Sequence, residues 1–419
     1  MATKKKTTTN KTSKKTSAKA EAPRERDEAE GAAPGGEAEI VVEAPAEAAE
    51  VLREPAELAY ADQLEALRQN DEDRPPASWR LSPRAVLRYI VGGESLAASI
   101  DGRTRTVEIT RKFFGDDALV ERAIVTLASE RALLLVGEPG TGKSWLSEHL
   151  AAAICGNSSL TIQGTAGTTE EHIKYSWNVA RVIAEGYALD NLVPSPTMNA
   201  MRTGGLLRFE EITRCVPDVQ DALVSVLSDK AIAVPELPRS PLVWAKPGFN
   251  VIATANSRDQ GVNELSAALK RRFNYVHIPL IADARTERAV VTQRTTELMQ
   301  RYGIEARVEP AVLDLLTTVF REIREGKSNE GVGLKKPGTT MSTAEAIGCA
   351  LDATLHARYF GDGRVSAADI ARNLAGSVVK EDLGDLAALR EYATLVAKKR
   401  AADDPRWREF HEALTVAVR

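Results

Sequence analysis

The sequence is poor in the features that mark membrane proteins, secreted proteins and metal scaffolds. Aromatic side chains make up only 5% of its 419 residues, and there are three cysteines. No apolar run approaches the roughly 18 residues of a membrane-spanning helix, and the N-terminus carries no apolar signal-peptide core. The cysteines (Cys155, Cys215 and Cys349) lie far apart without metal-ligand spacing, which indicates small buried side chains in a reducing compartment. We therefore expect a cytoplasmic protein without a membrane segment.

Residues 1–75 contain little that could build a core. The first 20 residues carry seven lysines and no acid, and residues 21–75 carry 17 acidic side chains against five arginines. A segment of this composition buries too little apolar area to offset its ordering entropy, so 1–75 is predicted to be a disordered charged tail. The lysine-rich start could attract nucleic acid. A solvated tether is the simpler interpretation, so nucleic acid is not an expected partner.

What the sequence does contain is a complete phosphate-binding motif. Residues 137–144 read GEPGTGKS and match G-x-x-x-x-G-K-[ST] at every fixed position. The aliphatic run 132–136 predicts a buried strand before the motif, and the apolar spacing after it predicts a helix. Glycines leave room for backbone N–H groups around phosphate oxygens, Lys143 can reach the outer phosphates, and Ser144 can bind Mg²⁺. The predicted nucleotide contacts here are Gly137, Glu138, Pro139, Gly140, Thr141, Gly142, Lys143, Ser144 and Trp145.

Two carboxylates and an amide follow later strands. Glu210 and Glu211 end the run 204–211, which is hydrophobic before them except at Arg208, and Asn256 ends the run 249–256. A strand that ends in two carboxylates can hold Mg²⁺ with one and activate the attacking water with the other. Glu210 is therefore the predicted metal-side acid and Glu211 the predicted general base. Asn256 is predicted to align the water, although an ordinary turn asparagine would give the same pattern.

Two arginines end the next predicted helix, just before another strand. Arg271 and Arg272 stand shortly before the predicted strand 275–279. A guanidinium at this place can reach the nucleotide of a neighbouring subunit and bind phosphate oxygens in a bidentate manner. The alternative is that the two cations merely stabilise the C-terminus of their helix. We favour Arg272 as an arginine finger and keep Arg271 as the competing candidate.

Taken in order, these motifs resemble the AAA+ superfamily, specifically the MoxR-like ATPases, over residues 108–380. The resemblance implies an α/β fold: a P-loop core with a parallel sheet flanked by helices, followed by an α-helical lid domain. Phe114 and Gly115 occupy the place where this family has the turn that lines the adenine pocket. The expected organisation is tail (1–75), N-terminal extension (76–112), nucleotide-binding domain (113–282), lid (283–402) and a C-terminal helix (403–419).

Two positions depart from the family pattern. The metal-side acid is normally Asp, whereas this chain has Glu210, which carries one more methylene group. The family's second sensor is an arginine in a Ser-Pro-Arg run, but the matching run here, 342–344, has none. Lys335 or Lys336 could substitute for it. Arg208, inside the strand before the acids, has no explanation at this level.

The resemblance implies ATP and Mg²⁺ as cofactors and a homo-oligomeric ring, a hexamer, that remodels or matures a protein partner. MoxR-like ATPases commonly act with proteins that carry a von Willebrand factor A domain, so such a protein is the expected client. One alternative is a motor subunit of a nuclease or defence complex, as in McrB-like relatives. Another is a slow nucleotide-dependent assembly switch, which Glu210 and the missing second-sensor arginine favour.

Overall fold

The computed structural model describes residues 40–42, 52–257, 263–338, 341–379 and 383–419. The rest of the predicted tail, 1–39 and 43–51, lies outside these ranges. The strands are β1 (Ile40–Val42), β2 (Glu94–Ile100), β3 (Arg103–Ile109), β4 (Ala132–Gly137), β5 (Thr161–Gln163), β6 (Tyr175–Trp177), β7 (Leu192–Pro194), β8 (Leu206–Glu210), β9 (Ala231–Ala233), β10 (Leu242–Trp244), β11 (Asn250–Asn256), β12 (Phe273–Ile278), β13 (Ala306–Val308) and β14 (Arg364–Val365).

Helices lie between these strands and dominate after residue 283. They are α1 (Ala56–Ala59), α2 (Ala61–Gln69), α3 (Pro83–Val91), α4 (Asp117–Leu127), α5 (Lys143–Cys155), α6 (Glu170–Ile173), α7 (Val179–Glu185), α8 (Pro196–Thr203), α9 (Pro217–Ser228), α10 (Ala267–Lys270), α11 (Ala284–Arg301), α12 (Pro310–Glu325), α13 (Thr343–Phe360), α14 (Ala367–Val378), α15 (Leu383–Tyr392), α16 (Lys398–Arg400) and α17 (Pro405–Ala417). The described chain also has 3₁₀ turns at Leu189–Asn191 and Ile212–Arg214 and a π-helical stretch at Ala393–Ala397. Within the described residues, no helix combines the length and apolar content needed to span a bilayer.

The central sheet has five parallel strands in the order β12-β4-β11-β8-β5. Side chains alternate between its faces, as a strand requires. Leu133 and Leu135 therefore enter the core shared with α4 and α5, whereas Ala132 and Leu134 enter the core shared with α8 and α9. Burial on both faces explains why these strands read as continuous aliphatic runs. The predicted α/β class is confirmed.

The N-terminal extension begins earlier than predicted. Residues 52–75 are described and include α1 and α2, so the predicted tail boundary at residue 75 is wrong for this stretch. Ala66 and Leu67 are both 0% exposed and join the core that also holds Leu146 and Leu150 of α5. The average composition of residues 1–75 conceals this short helix, because its few buried side chains stand among many polar and acidic residues.

The lid is built from α11 to α17 around its own core. Two helix starts carry the capping boxes that the sequence indicates, Ser342 with Glu345 and Ser366 with Asp369. The predicted separate helix at 403–419 belongs to this core, because Phe410 and Leu414 of α17 are 0% exposed within it. Strand β1 pairs antiparallel with β13, which pairs in turn with β14.

Candidate active site

The carboxyl ends of β4 and β11 face the lid across a cavity of about 450 Å³. Ligands of open parallel sheets bind at this edge, outside the carboxyl ends of the strands. Eight of the predicted nucleotide contacts line the cavity, namely Phe114, Pro139, Gly140, Thr141, Gly142, Lys143, Ser144 and Trp145. The remaining three, Gly137, Glu138 and Gly115, are described residues that do not line it.

Two of those three support the phosphate-binding loop from behind. The Lys143 ammonium, on a residue only 7% exposed, donates to the carbonyls of Gly137 at 3.0 Å and Glu138 at 2.7 Å. These bonds hold the cation at the start of α5, next to the cavity. Gly140 has a φ of +74°, and a Cβ there would lie 2.2 Å from the Ser342 hydroxyl of the lid. The loop and the lid therefore contact each other directly at a position where only glycine fits.

Glu210 lies behind the loop, bonded to its serine. One carboxylate oxygen, Oε2, accepts from the Ser144 hydroxyl at 2.6 Å and from the Thr254 hydroxyl at 2.8 Å. Hydroxyl and carboxylate oxygens are the donors that Mg²⁺ prefers, and Mg²⁺ usually takes only one or two protein ligands beside substrate phosphates and water. The pair Ser144 and Glu210 therefore fits the predicted metal, even though this acid is Glu instead of Asp.

Glu211 lines the cavity from a strained turn. Its φ of 54° and ψ of 45° place it in the left-handed region, which is uncommon for a residue with a side chain and is often found at functional sites. Its N–H donates to the Thr254 hydroxyl at 2.9 Å, and its carboxylate pairs with Arg214 at 2.7 Å. Gly164 makes room for this turn, because a Cβ there would lie 2.4 Å from the Glu211 carbonyl oxygen. The sequence analysis did not identify Arg214 as a partner of the acid.

The predicted water-aligning residue lines the cavity, whereas the two predicted finger arginines do not. Asn256, at the end of β11, lines it beside Glu211. Arg271 and Arg272 follow α10, and neither of these described residues lines the cavity. Arg271 is exposed, whereas Arg272 donates to the Ser228 hydroxyl and, at 2.6 Å, to the Ala268 carbonyl. A single subunit therefore presents both arginines away from its own phosphate-binding loop.

The lid wall of the cavity contains residues that the sequence analysis missed. Thr343, Ala344 and Ile347 line it from α13, whereas the suggested substitutes Lys335 and Lys336, both described, do not. Arg294 of α11 also lines it, with its guanidinium 3.7 Å from the centroid of the Trp145 ring. A helix-face cation 150 positions beyond the P-loop carries no local signal in the sequence, so only the fold identifies it.

The other end of the cavity holds a buried lysine. Lys112 is 4% exposed, and its ammonium lies 4.6 Å and 4.7 Å from the ring centroids of Tyr60 and Tyr89. It donates to Gln63 at 2.7 Å and to the Thr110 hydroxyl at 2.9 Å. Burial lowers the pKa of Lys112 to about 7. Residues of the N-terminal extension thus hold Lys112 in the wall of the cavity.

Comparison with known proteins agrees with this architecture. Residues 132–273 match the model of the AAA domain of the dynein-related subfamily, and residues 285–417 match that of the YehL-like AAA+ ATPase C-terminal domain. Core and lid together place the chain among the AAA+ ATPases, which confirms the resemblance seen in the motifs. It is 42% identical over 363 residues to YehL of Escherichia coli K12, a match that covers 86% of this chain and 96% of that protein. The chain belongs to the YehL-like, MoxR-type AAA+ ATPases and is an ATP hydrolase.

More distant matches cover less of the chain. The gas vesicle ATPase GvpN2 of Halobacterium salinarum is 28% identical over 214 residues, which span 48% of this chain and 58% of GvpN2. Among solved structures, NtrX of Brucella abortus in complex with ATP is 13% identical with a TM-score of 0.42, over 73% of this chain and 70% of NtrX.

Proposed function

We propose that this chain hydrolyses ATP with Mg²⁺ in a homo-oligomeric ring, a hexamer, and that the hydrolysis drives the remodelling of a protein partner. The observation that carries the proposal is the shared wall of the cavity. Core residues such as Lys143 and lid residues such as Thr343 line the same space, and Gly140 has no room for a Cβ beside Ser342. A nucleotide in this cavity contacts both domains, so its hydrolysis changes their relative orientation.

The site residues divide the chemistry among them. Lys143 pairs with the outer phosphates. Ser144 and Glu210 would hold Mg²⁺, which would supply positive charge beside the phosphate oxygens. Glu211 takes a proton from the attacking water, and Asn256 orients that water toward the γ-phosphate. Arg214 holds the Glu211 carboxylate until nucleotide enters. Arg271 or Arg272 acts on the site of a neighbouring subunit, because both lie outside the cavity of their own chain.

Exposed apolar side chains offer a surface for the partner. Helix α7 has no buried residue, and its Val179 and Ile183 are 67% and 81% exposed. Trp244 of the β9–β10 hairpin is 62% exposed. Apolar side chains at this exposure, on two short segments inserted around the core, are typical of contact surfaces. We propose a client protein there, of the von Willebrand factor A class that the family resemblance implies.

A substrate-trapping variant tests the proposal. Glu211→Gln keeps the side-chain shape and removes the basicity, so it should bind ATP and lose at least about 100-fold in turnover. Affinity purification of this variant with ATP, followed by mass spectrometry, should recover the client. The matched control is Lys143→Ala, which lacks the phosphate partner and should recover nothing above background. Wild-type turnover in Glu211→Gln would place the base elsewhere, with Glu210 as the next candidate.

One observation favours the alternative of a slow assembly switch. The lid helix α13 presents Thr343 and Ala344 to the cavity at the place where the resemblance implies an arginine. The lid cation that lines the cavity, Arg294, stacks on Trp145 instead. A single-turnover measurement with excess enzyme separates the two functions. Hydrolysis slower than dissociation of the assembled ring would support the switch.

A further inference from the structure

Arg208 lies on the buried strand β8, where a charged side chain is costly unless every donor is satisfied. It is 9% exposed, and each of its guanidinium nitrogens donates a hydrogen bond. Nε donates to the Ser147 hydroxyl at 3.0 Å, and Nη1 donates to the Ser158 carbonyl at 2.9 Å. Nη2 donates to the Ser144 carbonyl at 3.1 Å and to Glu210 Oε1 at 2.9 Å. The guanidinium thus joins β8 to the first turn of α5.

The Glu210 carboxylate is held at both oxygens by different groups. Oε1 accepts from Ser147 at 2.6 Å and from Arg208. Oε2 accepts from Ser144 at 2.6 Å and from Thr254 at 2.8 Å. One oxygen therefore faces the buried arginine, and the other stays beside the serine of the phosphate-binding loop.

We propose that Arg208 is a positioning residue, which holds the longer Glu210 side chain so that Oε2 stays at Ser144 in the Mg²⁺·ATP site. The inference rests on the proposed function of Ser144 and Glu210 as the metal-side pair. Glu has one more rotatable bond than Asp and reaches about 1.5 Å further. Arg208 and Glu210 are two residues apart on one strand, so their side chains leave the same face of the sheet. The rigid, planar guanidinium fork, bonded to Glu210 Oε1 at 2.9 Å, restricts rotation about the additional bond of the glutamate side chain.

The same geometry explains why the glutamate is compatible with the metal. Without Arg208, the carboxylate could rotate away from Ser144 and accept its hydrogen bonds elsewhere. With Arg208 and Ser147 on Oε1, the orientation of Oε2 is determined by the fold before nucleotide arrives. Groups behind a metal ligand commonly change metal affinity by about 10–100-fold when they are removed. Arg208 is of this kind, since it contacts Glu210 and does not itself line the cavity.

The test is the Mg²⁺ dependence of nucleotide binding, which does not require hydrolysis. Binding of a fluorescent ATP analogue is followed in EDTA and then across a Mg²⁺ titration. Arg208→Met should raise the Mg²⁺ concentration for half-maximal enhancement by about tenfold or more, whereas binding in EDTA should change little. Arg208→Lys keeps the charge without the fork and should fall between wild type and Arg208→Met. It also replaces Arg208→Met in every comparison if the methionine variant does not fold.

A matched control separates positioning from simple stabilisation. Arg400 is a partly buried arginine that also pairs with a buried carboxylate, at 2.6 Å from Glu322 in the lid. Arg400→Met should lower the melting temperature and leave the Mg²⁺ titration unchanged. If Arg208→Met behaves in the same way, with a titration within about twofold of wild type, Arg208 is purely structural and the inference is wrong.

A double-mutant cycle shows whether Arg208 acts through Glu210. Glu210→Asp withdraws the carboxylate from Arg208, so adding Arg208→Met to that variant should change the titration much less than it does in the wild type. Equal effects in both backgrounds would overturn the inference. Ser144→Ala and Glu210→Gln test the proposed metal pair itself. If they shift the titration and Arg208→Met does not, the metal pair stands and only the inference on Arg208 fails. If Ser144→Ala and Glu210→Gln also leave the titration unchanged, both the metal assignment and the inference on Arg208 are wrong.

Discussion

Helix α2 allows a quantitative prediction about the N-terminal extension. Leu67 is 0% exposed and packs in the core that contains the P-loop helix. Replacing a fully buried leucine by alanine removes its transfer free energy and leaves a cavity, at a typical cost of about 2–5 kcal/mol. We take about 3 kcal/mol for Leu67→Ala, because α2 lies at the edge of the core and can relax partly into the space.

This loss converts into a measurable melting shift. Unfolding entropy is about 2.1 cal/mol/K per residue, so the roughly 230 residues of extension and core together give about 0.5 kcal/mol/K. A loss of about 3 kcal/mol should therefore lower Tm by about 6 °C in calorimetry. The matched control is Leu58→Ala on α1, where the side chain is 61% exposed, and its effect should stay within about 0.5 kcal/mol. Equal shifts for the two variants would refute the packing of α2.

Three further predictions concern the cavity. Lys143→Ala should weaken ATP binding by about 2–5 kcal/mol in titration calorimetry, because it removes the charge partner of the phosphates; unchanged affinity would contradict the P-loop assignment. Of Arg271→Ala and Arg272→Ala, the variant that removes the finger should bind ATP and lose about 10³-fold in turnover. Mixing it with Glu211→Gln should restore activity, whereas inactive mixed rings would contradict a finger in trans. Since burial lowers the pKa of Lys112 from 10.5 to about 7, the unfolded chain binds more protons between these pH values and stability should rise with pH across that window. In Lys112→Met, the free energy of unfolding measured with urea should no longer increase from pH 7 to pH 9. An equal increase in the wild type and the variant would show that Lys112 does not titrate in this range.

The sequence predicted those parts of the site that depend on local patterns. The P-loop follows β4, Glu210 and Asn256 are the last residues of β8 and β11, and Glu211 follows β8 directly. Parallel strands bring these carboxyl ends to one edge of the sheet. Contacts between distant segments were beyond this reasoning. Arg294 reaches Trp145 across 149 positions, and nothing in its own helix distinguishes it from a solvated arginine. Arg208 was unexplained because its partners lie on a helix, a loop and its own strand.

The extent of the N-terminal tail was mistaken for a different reason. Composition was averaged over 75 residues, and a nine-residue helix with two fully buried side chains is lost in that average. Helix α17 was predicted as a charged C-terminal helix separate from the lid. Phe410 and Leu414 of α17 are fully buried, so this helix belongs to the lid. The charge pattern of the sequence alone does not predict which side chains are buried.

The N-terminal part of the chain contacts both the lid and the nucleotide-binding domain. Strand β1 adds to the lid sheet beside β13, while Leu67 of α2 lies in the core of the nucleotide-binding domain. Nine residues, 43–51, connect Val42 to Leu52, and a chain of that length spans at most about 36 Å. Under the proposed function the lid rotates against the core, and β1 can stay paired with β13 only while Val42 and Leu52 lie within that distance of each other. The number of residues between them therefore sets an upper limit on the rotation that keeps this strand in place.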